Sequence, residues 1–263
     1  MYFRIGLKRL WGEPIKDYSM KELGKYLLLM GKLLVNREKF STYSRLIIDE
    51  AIVIGTDSLL IVAIVSSFIG AVTAVQTAHN LYNPIIPLET IGSIVRDMTL
   101  LELAPTFTGV VLAGKIGSNI AGHLGSMRIT EQIDALEVMG INSASYLILP
   151  KIVASLIVFP MLVTLSAFLG IFGGFAAGVL TNSLSAEQYI AGIRDNFHGF
   201  DVFFALIKAF VFAFLISSIS AFRGYYTRGG ALEIGKASTM AVTHSCIAIL
   251  IADYLLAQLI LAN

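Results

Sequence analysis

Residues 152–186 read IVASLIVFPMLVTLSAFLGIFGGFAAGVLTNSLSA and contain no Asp, Glu, Lys or Arg. A helix needs about 20 mostly apolar residues to cross the hydrocarbon core of a bilayer, so this stretch predicts a transmembrane helix near 152–180. Working outward, residues 58–88 are also free of those four types and predict a first span near 52–77. Asn80, Asn83, Pro84 and Pro87 then mark a turn. Two further spans are expected near 201–222, with Lys208 inside, and near 238–260, with His244 and Asp253 inside. Residues 92–122 are the difficult segment, because Arg96, Asp97, Glu102 and Lys115 would each be costly facing lipid. They must face a protein interior, a cavity or a membrane surface, or the segment does not cross cleanly.

The composition agrees with lipid as a solvent. Of 263 residues, 56% are hydrophobic and 14% charged, against about 25% charged in a soluble domain. A net charge of +1 offers no concentrated basic field for nucleic acid. One cysteine, Cys246, excludes an internal disulfide, and no Cys/His grouping has metal-ligand spacing. The basic start, with Arg4, Lys8, Arg9 and Lys16, lacks an early apolar core followed by a small-residue cleavage site, so no removable signal peptide is expected.

Between residues 18 and 36, Leu23, Leu27, Met30 and Leu34 recur at helical spacing, interrupted by Lys21, Lys25 and Lys32. That pattern suits an amphipathic helix in the membrane interface, the alternative being a helix packed on a partner. Of the 19 lysines and arginines, only Arg96, Arg194 and Lys208 fall outside residues 1–50, 115–151 and 223–236. The positive-inside rule then places the N-terminus in the cytoplasm, and five spans place the C-terminus, Asn263, outside. The expected fold is an all-α integral membrane protein. An interfacial N-terminal helix region occupies 1–50, and a domain of about five transmembrane helices occupies 51–263.

Between the second and third spans, Ile129, Ile133, Leu136 and Met139 form an apolar stripe, with Glu131, Asp134 and Glu137 on another face and Gly140 as a stop. A short cytoplasmic helix of this kind suits docking on a soluble partner. Its acidic face argues against rest on anionic lipid. Gly170, Gly174 and Gly178 recur every four residues and predict close helix packing. Gly109–Lys115 mimics the start of a phosphate-binding loop, but Ile116 stands where Ser or Thr would hold Mg²⁺. Any ATP hydrolysis must therefore come from another chain. Glu102 is either a functional intramembrane carboxylate or the partner of a base such as Lys115, and Pro105 should kink the second span and free carbonyls.

Gly114-Lys-Ile-Gly-Ser-Asn-Ile-Ala-Gly-His-Leu-Gly-Ser-Met-Arg-Ile-Thr-Glu-Gln-Ile-Asp-Ala-Leu-Glu-Val-Met-Gly-Ile-Asn142, followed by Tyr146-Leu-Ile-Leu-Pro-Lys151, resembles the signature of the MlaE family, the permeases of MCE-type phospholipid transporters. Phe68-Ile-Gly, Leu101-Glu-Leu-Ala-Pro105 and Arg223-Gly-Tyr-Tyr-Thr-Arg-Gly-Gly230 extend the likeness over about residues 50–263. The resemblance implies a non-catalytic, homodimeric inner-membrane permease that moves phospholipid between inner and outer membranes and so maintains outer-membrane lipid asymmetry. ATP and Mg would be bound by a cytoplasmic ABC ATPase (MlaF-like). An MCE-domain protein (MlaD-like) would sit outside, with a STAS-domain protein (MlaB-like) as an optional member. The implied coupling helix, about 128–140, carries Arg128, Glu131, Asp134, Glu137 and Met139. A lipid cavity would draw on Phe68, Val72 and Val75 with Glu102 and His123. Where the family often has glutamate this chain has His123, which would act at the cavity or simply form a hydrogen bond between helices. The competing expectation is an ion-coupled secondary transporter using Glu102, His123 and Asp253.

Overall fold

The computed structural model describes residues 15–33, 40–81, 87–182 and 184–261. Arg4, Lys8, Arg9, Leu34, Asn83, Pro84 and Asn263 lie outside them. Eight helices account for nearly all of the described chain: α1 (Ile15–Lys32), α2 (Phe40–Asn80), α3 (Glu89–Ile129), α4 (Gln132–Val138), α5 (Ser143–Leu180), α6 (Ala186–Arg194), α7 (Gly199–Tyr225) and α8 (Ala231–Leu261). Five of them, α2, α3, α5, α7 and α8, are long and apolar enough to cross a membrane. All five expected spans fall inside these helices. The difficult second one is a single helix about 60 Å long at 1.5 Å per residue.

Two expected borders shift. The division at residue 50 falls within α2, which starts at Phe40. Polarity changes there, but backbone hydrogen bonding runs on unbroken. The helix expected at 128–140 is divided: α3 runs to Ile129, and Glu131 adopts a left-handed conformation (φ 60°) that ends the ladder before α4. Gly140 closes α4 with φ 78°. Its N–H donates to Glu137 O, and the Ile141 N–H reaches Leu136 O, the paired bonds of a Schellman stop.

Lipid is as apolar as leucine, so spans associate through close packing and polar links. The α2–α5 contact depends on missing side chains. A Cβ on Gly173 would lie 2.1 Å from Ser67 O, and one on Gly70 would lie 1.8 Å from Gly170 O. Gly174 faces the Tyr189 hydroxyl and Val95, whereas a Cβ on Gly178 would meet Leu184 at an ordinary 3.6 Å. The spacing of four therefore found Gly170 and Gly174 in tight packing and missed Gly173, which meets backbone. Gly173→Ala must force two backbones apart. The expected cost is on the order of 3 kcal/mol, read as a lower midpoint of thermal unfolding in detergent; an unchanged midpoint refutes this packing.

Described residues of the three basic stretches meet at one end of the bundle. There Glu22 pairs with Arg223 at 3.2 Å, Asn142 Nδ2 donates to Lys32 O at 2.9 Å, and Lys151 pairs with Glu50. The α1 helix has two apolar faces. Tyr26, Leu29, Met30 and Leu33 pack on the core, with the Tyr26 hydroxyl donating to Ser218 Oγ at 2.9 Å. Met20, Leu23, Leu27 and Leu28 remain exposed. Leu23 and Leu27 thus lie on the outward face, while Met30 joins the inward one.

Candidate functional site

The centre of the site is Lys208 of α7, completely buried. An ammonium in that position is tolerated only when paired and hydrogen-bonded. Its Nζ lies 2.8 Å from Glu102 Oε1 of α3 and donates to Leu101 O at 2.8 Å. It lies 2.7 Å from Asp253 Oδ1 of α8, an ionic contact outside hydrogen-bond alignment. The Phe204 ring, 4.7 Å from Nζ, closes another side. One cation thus ties three spanning helices together.

Local backbone geometry makes this possible. Pro105 has no N–H to offer the carbonyl four residues back, that of Leu101. The α3 helix does not break there. It widens into a π-helical segment, Thr99–Phe107, with a second one at Ala113–Gly117. Lys208 takes up the Leu101 carbonyl, which supplies the neighbour that the expected kink would have required. π segments recur at functional sites, and this one carries Glu102 as well. Glu102 pairs with Lys208 rather than Lys115, because thirteen residues along one helix separate Glu102 and Lys115 by about 20 Å. Lys115 instead donates to Asp57 O. The segment from Gly109 to Lys115 is helical throughout.

The three groups expected to act together in ion coupling do not form one site. Glu102 and Asp253 meet through Lys208, but His123 lies about 30 Å farther along α3. His123 is exposed and forms no hydrogen bond among the described residues, so the interhelical bond considered for it is not made. It lies within electrostatic reach of the Glu50–Lys151 pair. Three of the residues expected at a lipid cavity lie on the outer surface of the single chain. Phe68, Val72 and Val75 are exposed on the outer face of α2, where Val72 and Val75 border an open groove of about 440 Å³ with Ala177. His244 is also exposed, its Nδ1 2.6 Å from Met240 O.

At the basic end, α4 is braced from behind. Ile133 is fully buried, and Glu137 accepts from Ser143 Oγ at 2.8 Å and from the Tyr225 hydroxyl at 3.1 Å. Arg128 pairs with Asp134 at 2.6 Å while stacking over Tyr225. Two of the three acidic groups are therefore used inside the chain, while Glu131 has no such contact among the described residues. The outward tip is apolar, with Val138 89% and Met139 65% exposed. Val138 was absent from the residues expected to matter, since its place at the tip depends on where α4 ends.

The opposite end is closed by α6. Arg96 of α3, almost fully buried, donates to Ile193 O at 2.7 Å and Asp195 O at 2.6 Å and pairs with Asp97 at 2.7 Å. A cation at the last carbonyls of a helix is favoured by the helix dipole. Burial pushes the Tyr189 phenol upward, so its hydroxyl stays protonated and donates to Ile171 O.

Residues 47–259 match a family described as Permease MlaE. The chain belongs to the MlaE permease family. Among its relatives, a probable ABC transporter permease protein of Rickettsia bellii is 35% identical, covering 91% of this chain and 92% of that one. A probable ABC transporter permease protein of Synechocystis is 33% identical, covering 81% and 80%. The intermembrane phospholipid transport system permease protein MlaE of Haemophilus influenzae is 28% identical, covering 93% and 94%. As a member of the MlaE family with five apolar spanning helices, the chain is a multi-pass ABC transporter permease.

Proposed function

We propose that this permease moves phospholipid between the inner and outer membranes, using ATP and Mg bound by a separate cytoplasmic ATPase that docks on α4. The observation that carries this reading is a short helix braced on its inner face by Ile133 and Glu137, with Val138 and Met139 turned outward at the basic end. Such a helix passes a push from a soluble partner into α3 and α5 without bending. The name of the Haemophilus influenzae relative supports phospholipid as cargo. By the positive-inside rule the basic end is cytoplasmic, putting the N-terminus inside and the C-terminus in the periplasm. The exposed α1 face then lies in the interface. The last span exposes Ile247, Leu250, Ile251, Tyr254 and Leu255, which suits a homodimer in lipid. An MCE-domain partner on the periplasmic side and a STAS-domain partner of the ATPase complete the assembly.

Tagged chain extracted in mild detergent from its native host should co-purify with an ABC ATPase, an MCE-domain protein and phospholipid, identified by mass spectrometry. Recovery of the chain alone, under conditions that preserve other ABC complexes, refutes the assembly.

A further inference from the structure

A second polar feature, unconnected with Lys208, lies between α2 and α3 at the basic end. A shallow groove there has Ile54 and Ile116 among its apolar walls and Asp57, Ser58, Lys115 and Asn119 among its polar ones. Ser58 is 1% exposed, and its Oγ has no hydrogen-bond partner. An orphaned hydroxyl in apolar surroundings costs about 1–3 kcal/mol. The contrast within α2 is informative: Thr56, Ser66, Ser67 and Thr73 each donate to the carbonyl four residues back. Ser58 makes no such bond and lines the groove instead.

The charges are also unspent. Lys115 Nζ engages only the Asp57 carbonyl among the described residues, leaving two N–H donors and no carboxylate partner. The Asp57 carboxylate has no partner among the described residues. Glu50, at the groove's edge, is already taken by Lys151. One slot therefore offers a positive charge, a negative charge and a free hydroxyl. Beside it, Leu59, Leu60, Ile61 and Ile64 lie exposed on α2. Asp57 lies about 35 Å along α2 from Asn80, slightly more than the thickness of a hydrocarbon core. The polar groups thus sit at head-group level in one leaflet.

We propose that this groove holds the head group of a zwitterionic, amine-bearing phospholipid from the leaflet at the basic end. Lys115 and Ser58 take the phosphate, Asp57 takes the ammonium, and the acyl chains lie along α2. The assignment rests on the lipid-transport reading and adds to it a head-group class and an entry side.

The test is native mass spectrometry of the full chain in detergent, titrated separately with phosphatidylethanolamine and phosphatidylglycerol. Wild type should retain the former preferentially. Asp57→Asn should lower ethanolamine-lipid retention about tenfold, toward the glycerol-lipid level, and Ser58→Ala should weaken both lipids several-fold. Neither substitution adds volume or breaks an internal bond. An unchanged preference in Asp57→Asn together with unchanged retention in Ser58→Ala overturns the site. Equal binding of glycerophosphoethanolamine, which lacks acyl chains, overturns the lipid assignment in favour of a soluble phosphate ester. ATP-dependent lipid movement by the assembled transporter is measured in parallel. Transport that persists while the preference test fails removes only the groove; a complex that moves no phospholipid removes the wider reading.

Discussion

Replacing Lys208 with methionine is expected to cost the folded chain about 3–5 kcal/mol, the loss typical when one partner of a buried ion pair is removed. Methionine fills a similar volume, so the loss is electrostatic. Glu102 and Asp253 would be left around an apolar side chain, and the Leu101 carbonyl, which Pro105 cannot serve, would lose the Lys208 N–H. The measurement is thermal unfolding in detergent, followed by the monodisperse fraction on size exclusion. Lys208→Arg should not rescue it, because a completely buried ammonium under the Phe204 ring leaves no room for a planar guanidinium. The triple variant Lys208→Met, Glu102→Gln, Asp253→Asn should recover most of the lost stability. Neutral groups of matched size replace buried ion networks at little cost. A Lys208→Met chain as stable as wild type would show that the triad does not hold α3, α7 and α8 together.

The Lys208 network is not legible in the sequence. Hydropathy accumulates over consecutive residues, so the apolar runs at 58–88 and 152–186 were legible as spans, as were the stop at Gly140 and the gathering of basic residues at one end. The second span was difficult because its polar residues are satisfied by partners distant along the chain. Glu102 meets Lys208 and Asp253, and Arg96 meets the carbonyls that end α6. No local pattern records such pairings. An intramembrane lysine is itself a signal of function, no less than the glutamate that Lys208 holds. The π-helical widening has only Pro105 as a trace. For α4 the acidic stripe was visible, but its direction was not. Asp134 and Glu137, though exposed, are held by Arg128, Ser143 and Tyr225 from three other parts of the fold.

Those intrachain contacts decide how coupling should be tested. Reversing charge at Glu131 and Asp134 would set a lysine against Arg128 and damage the chain itself, confusing lost contact with lost fold. Val138 and Met139 face outward and brace nothing, so Val138→Asp with Met139→Asp should leave the thermal midpoint of the isolated permease unchanged. Truncating an apolar anchor at the centre of an interface costs about 2 kcal/mol or more, and an unpaired carboxylate in its place adds a desolvation penalty. Together the two substitutions should weaken capture of the ATPase by on the order of a thousandfold. Lipid-dependent ATP turnover in the reconstituted complex should disappear with it. Glu137→Gln is the matched control behind the helix. It keeps an oxygen for Ser143 and Tyr225, so ATPase capture should survive while the brace loses only its charge. If the double variant binds ATPase with wild-type affinity, α4 is not the contact through which ATP hydrolysis reaches the membrane helices, and the exposed tip needs another partner.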